Sequence, residues 1–481
     1  MNPHITKKIV EIEFIKAETT LEFCWDLLVD LKENSIEKND FTTRFITFQE
    51  RLANTVFDLQ SLRDKIIKEE KRLVKNKIQY NFEWFKSKMK QLSDFKKGID
   101  YVVNISKAFG DAYAYFFYQN DLELLAEHLS HQRIVNHTAG NGERGELEFT
   151  KNVKHIEGQF TLFHGITNIL RYGDFSFIDL ENLRVTQIGE LKTKWVAENT
   201  LEANITLLRK KDGAISNNIP IRNLEMEKNR EGRQLLGIAN FLKGRNSHNT
   251  VDDHLIDKSY ADEIELLLKS SKINNVHSIQ ASPGLAFICL KFKNTSLYNH
   301  LFRRKSKRIV DRSSNTIKDI ALKIIKSNTK GNAIILGQLL YNPDFTDKNT
   351  AGTVPIFWHP IDNRLLKQLY FGQSIIMSIF NPIHIIHEVE KSGFLVESEY
   401  YKSENVKISG KKGVIKYFDL FISYITNHLV TENFVTGILA KIVENDKWGQ
   451  TARVQVKPQQ HVEFFKHRSK KKANDITKLN E

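Results

Sequence analysis

The sequence predicts a mixed helix-and-strand protein (α+β or α/β) in three folded parts: a helical region at 1–137, a sheet-containing core at 138–300 and a mixed α/β domain at 316–460. A basic flexible tail is expected at 461–481. Three observations carry this reading. A chain of 481 residues is long enough for about three domains at roughly 150 residues each. Hydrophobic residues at 41% and charged residues at 27% give the balance of a chain that buries real cores, too apolar for intrinsic disorder. The hydrophobic spacing also changes from helical to strand-like near residue 142, and a second, basic break falls at 303–316.

In the first part Phe45, Phe48, Leu52, Val56, Leu59, Leu62, Ile66, Leu73, Val74 and Ile78 recur at helical spacing, so one or two long amphipathic helices are expected between Asp40 and Lys97. A further helix is expected from Ile105 to Ser130, on Ala108, Ala112, Tyr115, Phe116, Leu122, Leu125 and Leu129. Between Arg63 and Lys97 twelve Lys/Arg face five Asp/Glu, with Tyr80, Phe82, Trp84 and Phe85 interleaved. Such a stretch is either a solvated basic face with inward aromatics or a grip on a phosphate backbone. In the second case Lys86, Lys88 and Lys90 are the candidate contacts. The polar loop His137–Gly142 marks the first boundary.

Beyond it come short runs bounded by Gly and Asn. Phe175–Leu180 and the run ending in Ile188-Gly189-Glu190-Leu191-Lys192 flank Glu181-Asn182-Leu183 as a hairpin. Ala203–Leu208 and Leu285–Leu290 are expected as further strands. The cluster Arg303-Arg304-Lys305-Ser306-Lys307-Arg308 marks the second boundary. After it the strands Ala333–Leu340 and Val354–His359 alternate with a helix at Leu365–Tyr370.

Lys+Arg total 71 against 58 Asp+Glu, a net charge of +13 with a pI near 9.3. This balance favours an anionic partner such as nucleic acid. Two distant cysteines, Cys24 and Cys289, support neither a disulfide framework nor a thiolate zinc site, so a reducing, cytoplasmic setting is expected. The first residues have no apolar core of signal-peptide length, and no run approaches about 18 apolar residues, which argues against secretion and membrane spanning.

Chemistry concentrates in 142–194. On a strand, Glu190 and Lys192 project from one face and Leu191 from the other, which puts a carboxylate and an ammonium in one site. Counting outward from Asn182 in a symmetric hairpin places Asp174 directly across from Glu190, and Asp179 across from Val185 on the other face. Facing carboxylates repel, so the first pair calls for a cation between them. A β-bulge would shift the register and favour Asp179 instead. Glu146 stands on the stripe of Phe149, Val153 and Ile156 in a helix that begins near Gly145, and should point at the sheet. Glu148 shares a face with Lys151, Asn152 and His155 and looks solvated. Alone, Glu146 could equally be a first-turn acid favoured by the helix dipole.

Together, Glu146, Asp174 and Glu190-Leu191-Lys192 resemble the PD-(D/E)XK nuclease superfamily, over roughly 142–290. The resemblance implies a restriction-endonuclease-like mixed sheet flanked by helices, with Asp174 and Glu190 ligating Mg²⁺ (or Mn²⁺) and Glu146 joining through a metal-bound water. Lys192 would position or activate the attacking water, and Gln234 in Glu231-Gly-Arg-Gln234 resembles the family's helix glutamine. Gly173 stands where the family often has Pro, and Ala203–Leu208 would be an insertion. The implied activity is Mg²⁺-dependent endonucleolytic hydrolysis of DNA, with RNA as the alternative substrate, in restriction, phage defence or a mobile element. A homo-oligomer or a defence-system partner subunit would fit that setting. Arg303, Arg304 and Lys305 join Lys86, Lys88 and Lys90 as expected phosphate contacts. Two other readings stand beside it: a nuclease-fold protein that binds nucleic acid without cleavage, and a helix-rich adaptor in a multi-protein complex.

Other motifs carry less. His384-Ile-Ile-His387-Glu388 lacks the order of a zincin helix, Gly331–Gly337 lacks the Lys-Ser/Thr of a P-loop, and Phe357-Trp358-His359-Pro360 reads as core.

Overall fold

The computed structural model describes residues 5–33, 41–119, 141–153, 155–156, 158–181, 183–197, 200–211, 214–216, 259–273, 275–293, 315–323, 335–339, 355–398, 406–409 and 414–415, with a few short pieces between them. The fold is mixed α+β. The chain divides into two compact units, one built mainly from 1–246 and the other mainly from 247–293, 305–342 and 349–481. The N-terminal helices therefore share a unit with the first sheet, where the sequence reading placed a boundary at 137. Among the described residues no helix is long and apolar enough to cross a membrane.

In the first unit, α1 (Lys7–Lys32) starts at Thr6, whose hydroxyl accepts from the Ile9 N–H. It buries Val10, Phe14, Ala17, Leu21, Cys24, Leu28 and Leu31 at steps of three and four. Next come α2 (Phe41–Lys75) and α3 (Phe82–Tyr118). A short 3₁₀ turn at Lys77–Gln79 separates them, and the Asn81 side chain restarts the helix by accepting from Glu83 and Trp84 N–H at 3.0 and 3.2 Å. The helix expected from Ile105 to Ser130 is, as far as Tyr118, the second half of α3; its supporting residues Leu122 and Leu129 lie outside the described residues. From Ala112 to Tyr118 every side chain of α3 is buried, which makes this end the central post of the unit.

After α4 (Asn141–Asn152) the chain forms β1 (His155–Ile156), β2 (Gln159–Phe163), β3 (Phe175–Asp179), β4 (Arg184–Ala197), β5 (Thr200–Lys211) and β6 (Ala214–Ser216). They pair in chain order as a six-stranded antiparallel sheet. Helices cover both faces of it. Phe160, across from Ile178 in the pairing, packs against Phe45 of α2 and Phe117 of α3. On the other face Phe149 of α4 packs on Phe175, which pairs with Phe163. Gln49 of α2 closes the outer edge of β2: its amide donates to the Thr161 carbonyl at 2.9 Å and its oxygen accepts from the Phe163 N–H at 2.7 Å. One side chain thereby replaces a missing neighbour strand.

The second unit holds α5 (Ala261–Ser270), β7 (Val276–Ser282), β8 (Leu285–Lys291), β9 (Ile335–Leu339), α6 (Asn363–Tyr370), β10 (Ser374–Phe380) and α7 (Pro382–Lys391). Its four-stranded sheet runs β7-β8-β10-β9, and β11 (Leu395–Ser398), β12 (Val406–Ser409) and β13 (Val414–Ile415) form a small third sheet.

Three expectations are corrected here. The resemblance implies a mixed sheet, but every strand pair among the described residues is antiparallel. Parallel neighbours need a crossover of a dozen or more residues, and the short links between β3, β4, β5 and β6 are too brief for one. Leu285–Leu290 is a strand, as expected, but as β8 it belongs to the second unit, between β7 and β10. The expected strand at Val354–His359 is a 3₁₀ turn at Ile356–Trp358 that begins after Pro355, with Trp358 N–H on the Pro355 carbonyl at 2.9 Å. Phe357, Trp358 and His359 are all buried, so this run lacks the alternation of a half-exposed strand.

Candidate functional site

The β3–β4 hairpin carries most of the acids singled out in the sequence. Its ladder runs Phe175↔Gly189, Ser176↔Ile188 and Phe177↔Gln187, the register counted from the turn. A bulge follows between Phe177 and Ile178, so Asp179 pairs with Arg184 and not with Val185. The extra residue lies on β4 at Thr186, whose hydroxyl donates to the Gln159 side chain at 2.7 Å. Because the bulge sits on the turn side, the other end of the ladder keeps its register. Asp179 ends β3, and its carboxylate accepts from the Glu181 N–H at 2.9 Å, a turn-closing bond.

Asp174 lies one residue outside β3, so the expected strand pair with Glu190 does not form; it is replaced by a tighter arrangement. Gly173 has φ +66°, and a Cβ there would stand 2.7 Å from Ile188 Cγ2 and 2.8 Å from the Gly189 carbonyl oxygen, so only glycine fits. The turn it makes aims Asp174 N–H at the Gly189 carbonyl, 2.8 Å away, and Asp174 Oδ2 accepts from the Leu191 N–H at 2.7 Å. Where the strand has ended, the carboxylate supplies the next acceptor of the ladder. It is thereby fixed on the backbone of the residue between Glu190 and Lys192.

By strand alternation from Ile188, Glu190 and Lys192 share the face of Ser176, whose hydroxyl meets Tyr118 of α3. Glu190 is half-buried and Lys192 exposed. Glu146 is elsewhere. At Gly145 a Cβ would fall 2.0 Å from Thr193 Oγ1, so α4 lies directly against the Thr193 and Leu191 face of β4. Glu146 itself lines a small pocket with Val56, Phe57 and Gln60 of α2 and Gly165. The helix stripe that was to aim it at the sheet is cut, because α4 ends at Asn152 and Ile156 is already in β1. Glu148 pairs with Lys151 at 3.0 Å, half-exposed as expected. Among the described residues no group of three or more His, Cys, Asp or Glu is arranged to hold a metal. A three-carboxylate set that includes Glu146 is therefore not gathered. Asp174 and Glu190, two hard carboxylates one residue apart across the ladder end, match the one or two carboxylates with which Mg²⁺ is usually held.

Residues 164–172, between β2 and the Gly173 turn, were not singled out in the sequence, yet side chains tie them at many points. Asp111 of α3 accepts from Asn168 N–H at 2.6 Å and Ile169 N–H at 3.1 Å, and Thr167 Oγ1 accepts from Leu170 N–H at 3.1 Å. His128 Nδ1 accepts from the N–H groups of Arg171 and Tyr172, each at 3.1 Å. His164 Nδ1 reaches the Gly173 carbonyl at 3.0 Å and its Nε2 reaches Ser176 Oγ at 2.6 Å. Burial pushes the His164 imidazole down to about 4, pushes Asp111 up to about 6 and brings the neighbouring Lys107 down to about 8. The only sequence signal was negative: an irregular stretch between two strands, rich in Thr, Asn, Arg, Tyr and Gly.

Of the expected phosphate contacts, Lys86 and Lys90 are exposed on α3, next to exposed Phe82 and Trp84. Lys88 is turned inward, donating to the Ile5 carbonyl at 2.6 Å and lying 3.7 Å from the buried Glu69 carboxylate. Lys86 and Lys90 are four residues apart and share a face of α3, whereas Lys88, two residues from each, falls on the other side of the helix. Gln234, Arg303, Arg304 and Lys305, and the tail at 461–481, lie outside the described residues. No family model, curated protein or solved structure matches this chain.

Proposed function

We propose that the first unit is a metal-dependent nuclease whose reacting centre is the Asp174, Glu190 and Lys192 end of the β3–β4 hairpin. The observation that carries this reading is the bond from Leu191 N–H to Asp174 Oδ2, which brings the hairpin aspartate to the Glu-x-Lys strand and holds it there. An ionised carboxylate offers about four lone-pair sites, so accepting from the Leu191 N–H is compatible with holding a cation. Asp174 and Glu190 would hold Mg²⁺, which when bound supplies charge neutralisation at a phosphodiester and a more acidic water. Lys192, exposed on the Glu190 face, would offer its ammonium to a phosphate oxygen or to an attacking water. The net charge of +13 favours approach of the polyanion. Glu146, on the opposite face, has no part in this set.

The test is incubation of the purified chain with plasmid, linear and single-stranded DNA and with RNA, in Mg²⁺ or Mn²⁺ against EDTA. Cleavage that EDTA stops, and that Glu190→Gln and Lys192→Ala each remove with folding intact, supports the reading. EDTA-resistant cleavage, or full activity in either variant, refutes it. A second reading, binding without cleavage, is favoured by the separation of Glu146 from the hairpin acids. It predicts salt-sensitive binding and no metal-dependent product.

A further inference from the structure

Four buried side chains join α3 to the turn that carries Asp174, and their donors and acceptors can be assigned in only one order. The Gly173 carbonyl can only accept, so His164 Nδ1 carries its proton. Nε2 accepts from the Ser176 hydroxyl, 2.6 Å away, as the other end of the chain also requires: His128 Nδ1 accepts from two backbone N–H groups, so every hydroxyl between the rings donates toward His164. Ser176 Oγ has then spent its proton and accepts from the Tyr118 hydroxyl at 2.5 Å. Tyr118 in turn accepts from His128 Nε2 at 3.0 Å, and that leaves His128 Nδ1 as the acceptor for Arg171 and Tyr172 N–H. Every proton runs the same way. Both ends of the chain grip the backbone of the same segment, at 171–172 through His128 and at 173 through His164. The His164 backbone N–H adds a bond to the Asp174 carbonyl at 2.9 Å.

From this geometry we infer that His128, Tyr118, Ser176 and His164 form a positioning chain that fixes the Asp174 carboxylate for a divalent cation. The inference rests on the metal reading of Asp174 given above. Removing the Ser176 hydroxyl would leave a buried imidazole nitrogen without its donor. The ring would then be free to turn from the Gly173 carbonyl, and the glycine turn that aims Asp174 would loosen. Groups that orient a ligand in this way commonly change metal affinity by about 10- to 100-fold when lost.

The experiment measures Mn²⁺ binding by calorimetry and electron paramagnetic resonance on the full chain without nucleic acid, well below the melting temperature. It compares wild type, Asp174→Asn, Ser176→Ala and Tyr118→Phe, with melting temperatures recorded alongside. The expected result is binding by wild type, its loss in Asp174→Asn, and affinity weakened about tenfold in both Ser176→Ala and Tyr118→Phe. Tyr118→Phe removes one hydroxyl from a side chain that keeps its volume, so it guards against a folding failure in Ser176→Ala. Wild-type affinity in both variants, even with lowered melting temperatures, would make the chain purely structural and overturn the inference. Wild type that binds no Mn²⁺, or Asp174→Asn that binds as well as wild type, would instead remove the metal reading itself, and the inference with it.

Discussion

Asp174 does two separable things, and the residue scale is where they can be parted. Its Oδ2 continues the β3–β4 ladder by accepting from Leu191 N–H, a job an amide oxygen can also do. Asp174→Asn should therefore keep stability close to wild type in urea unfolding while cleavage is lost. Asp174→Ala should lose cleavage and also about 1–2 kcal/mol of stability, because a ladder donor is left without its acceptor. Equal stability of the two variants would remove the capping role. Gly173 carries the other half of this corner. With φ at +66° and the Gly189 carbonyl 2.8 Å from where a Cβ would stand, Gly173→Ala should cost about 2 kcal/mol or more. Asp179 was the rival of Asp174 in the sequence. The strand count that set it aside was blind to the Thr186 bulge, because a bulge leaves no mark in the period of the residues on either side.

At the scale of elements, α2 was legible because burial at steps of three and four survives any tertiary context, as Phe45 to Ile66 attest; α1, which buries Val10 to Leu31 at the same steps, was not singled out within the region expected to be helical. The break at Asn76–Asn81 was not legible, since apolar residues continue through it at Ile78. Gln49 was equally invisible: it interrupts the buried stripe of Phe45, Leu52 and Ala53 in α2, and only the tertiary fold shows that it meets the β2 edge. Gln49→Leu should cost about 3 kcal/mol by stranding the Thr161 carbonyl and the Phe163 N–H, measured by chemical unfolding. Lys107 gives α3 a pH signature. Its folded value of about 8 lies below the ordinary 10.5, so the unfolded chain holds the extra proton between those limits. This contribution to stability is present above 10.5 and is lost as pH falls through about 8. The melting temperature of wild type, relative to Lys107→Met, should therefore rise between pH 8 and 10.

For the whole molecule, the partition into two units follows pairings that no local pattern encodes. Leu285–Leu290 reads as a strand from its run of apolar residues, but its neighbour β10 begins at Ser374, and nothing in either run names the other. The candidate site shows the same limit. Alternation put Glu190 and Lys192 on one face correctly, whereas the side of the sheet covered by α4 depends on Gly145 meeting Thr193, a long-range contact. The charge of the chain supplies a global prediction. Lys86→Glu with Lys90→Glu should weaken binding to all nucleic acid sequences alike and flatten the slope of log affinity against log salt. Lys88→Glu should instead lower the melting temperature, since it would bury a second carboxylate beside Glu69. Unchanged affinity and slope in the double variant would make that face of α3 ordinary solvated surface.

The binding of the backbone at residues 168–172 by side chains has a consequence for solvent exchange. Segments without helix or strand usually trade their amide protons with water quickly, because their N–H groups face solvent. Here Asn168 and Ile169 are held by Asp111, Leu170 by Thr167, and Arg171 and Tyr172 by His128. In deuterated buffer these five amides should exchange as slowly as those of β3, an irregular stretch with the kinetic signature of a strand. Tyr118→Phe should speed Arg171 and Tyr172 selectively and leave Asn168 and Ile169 protected.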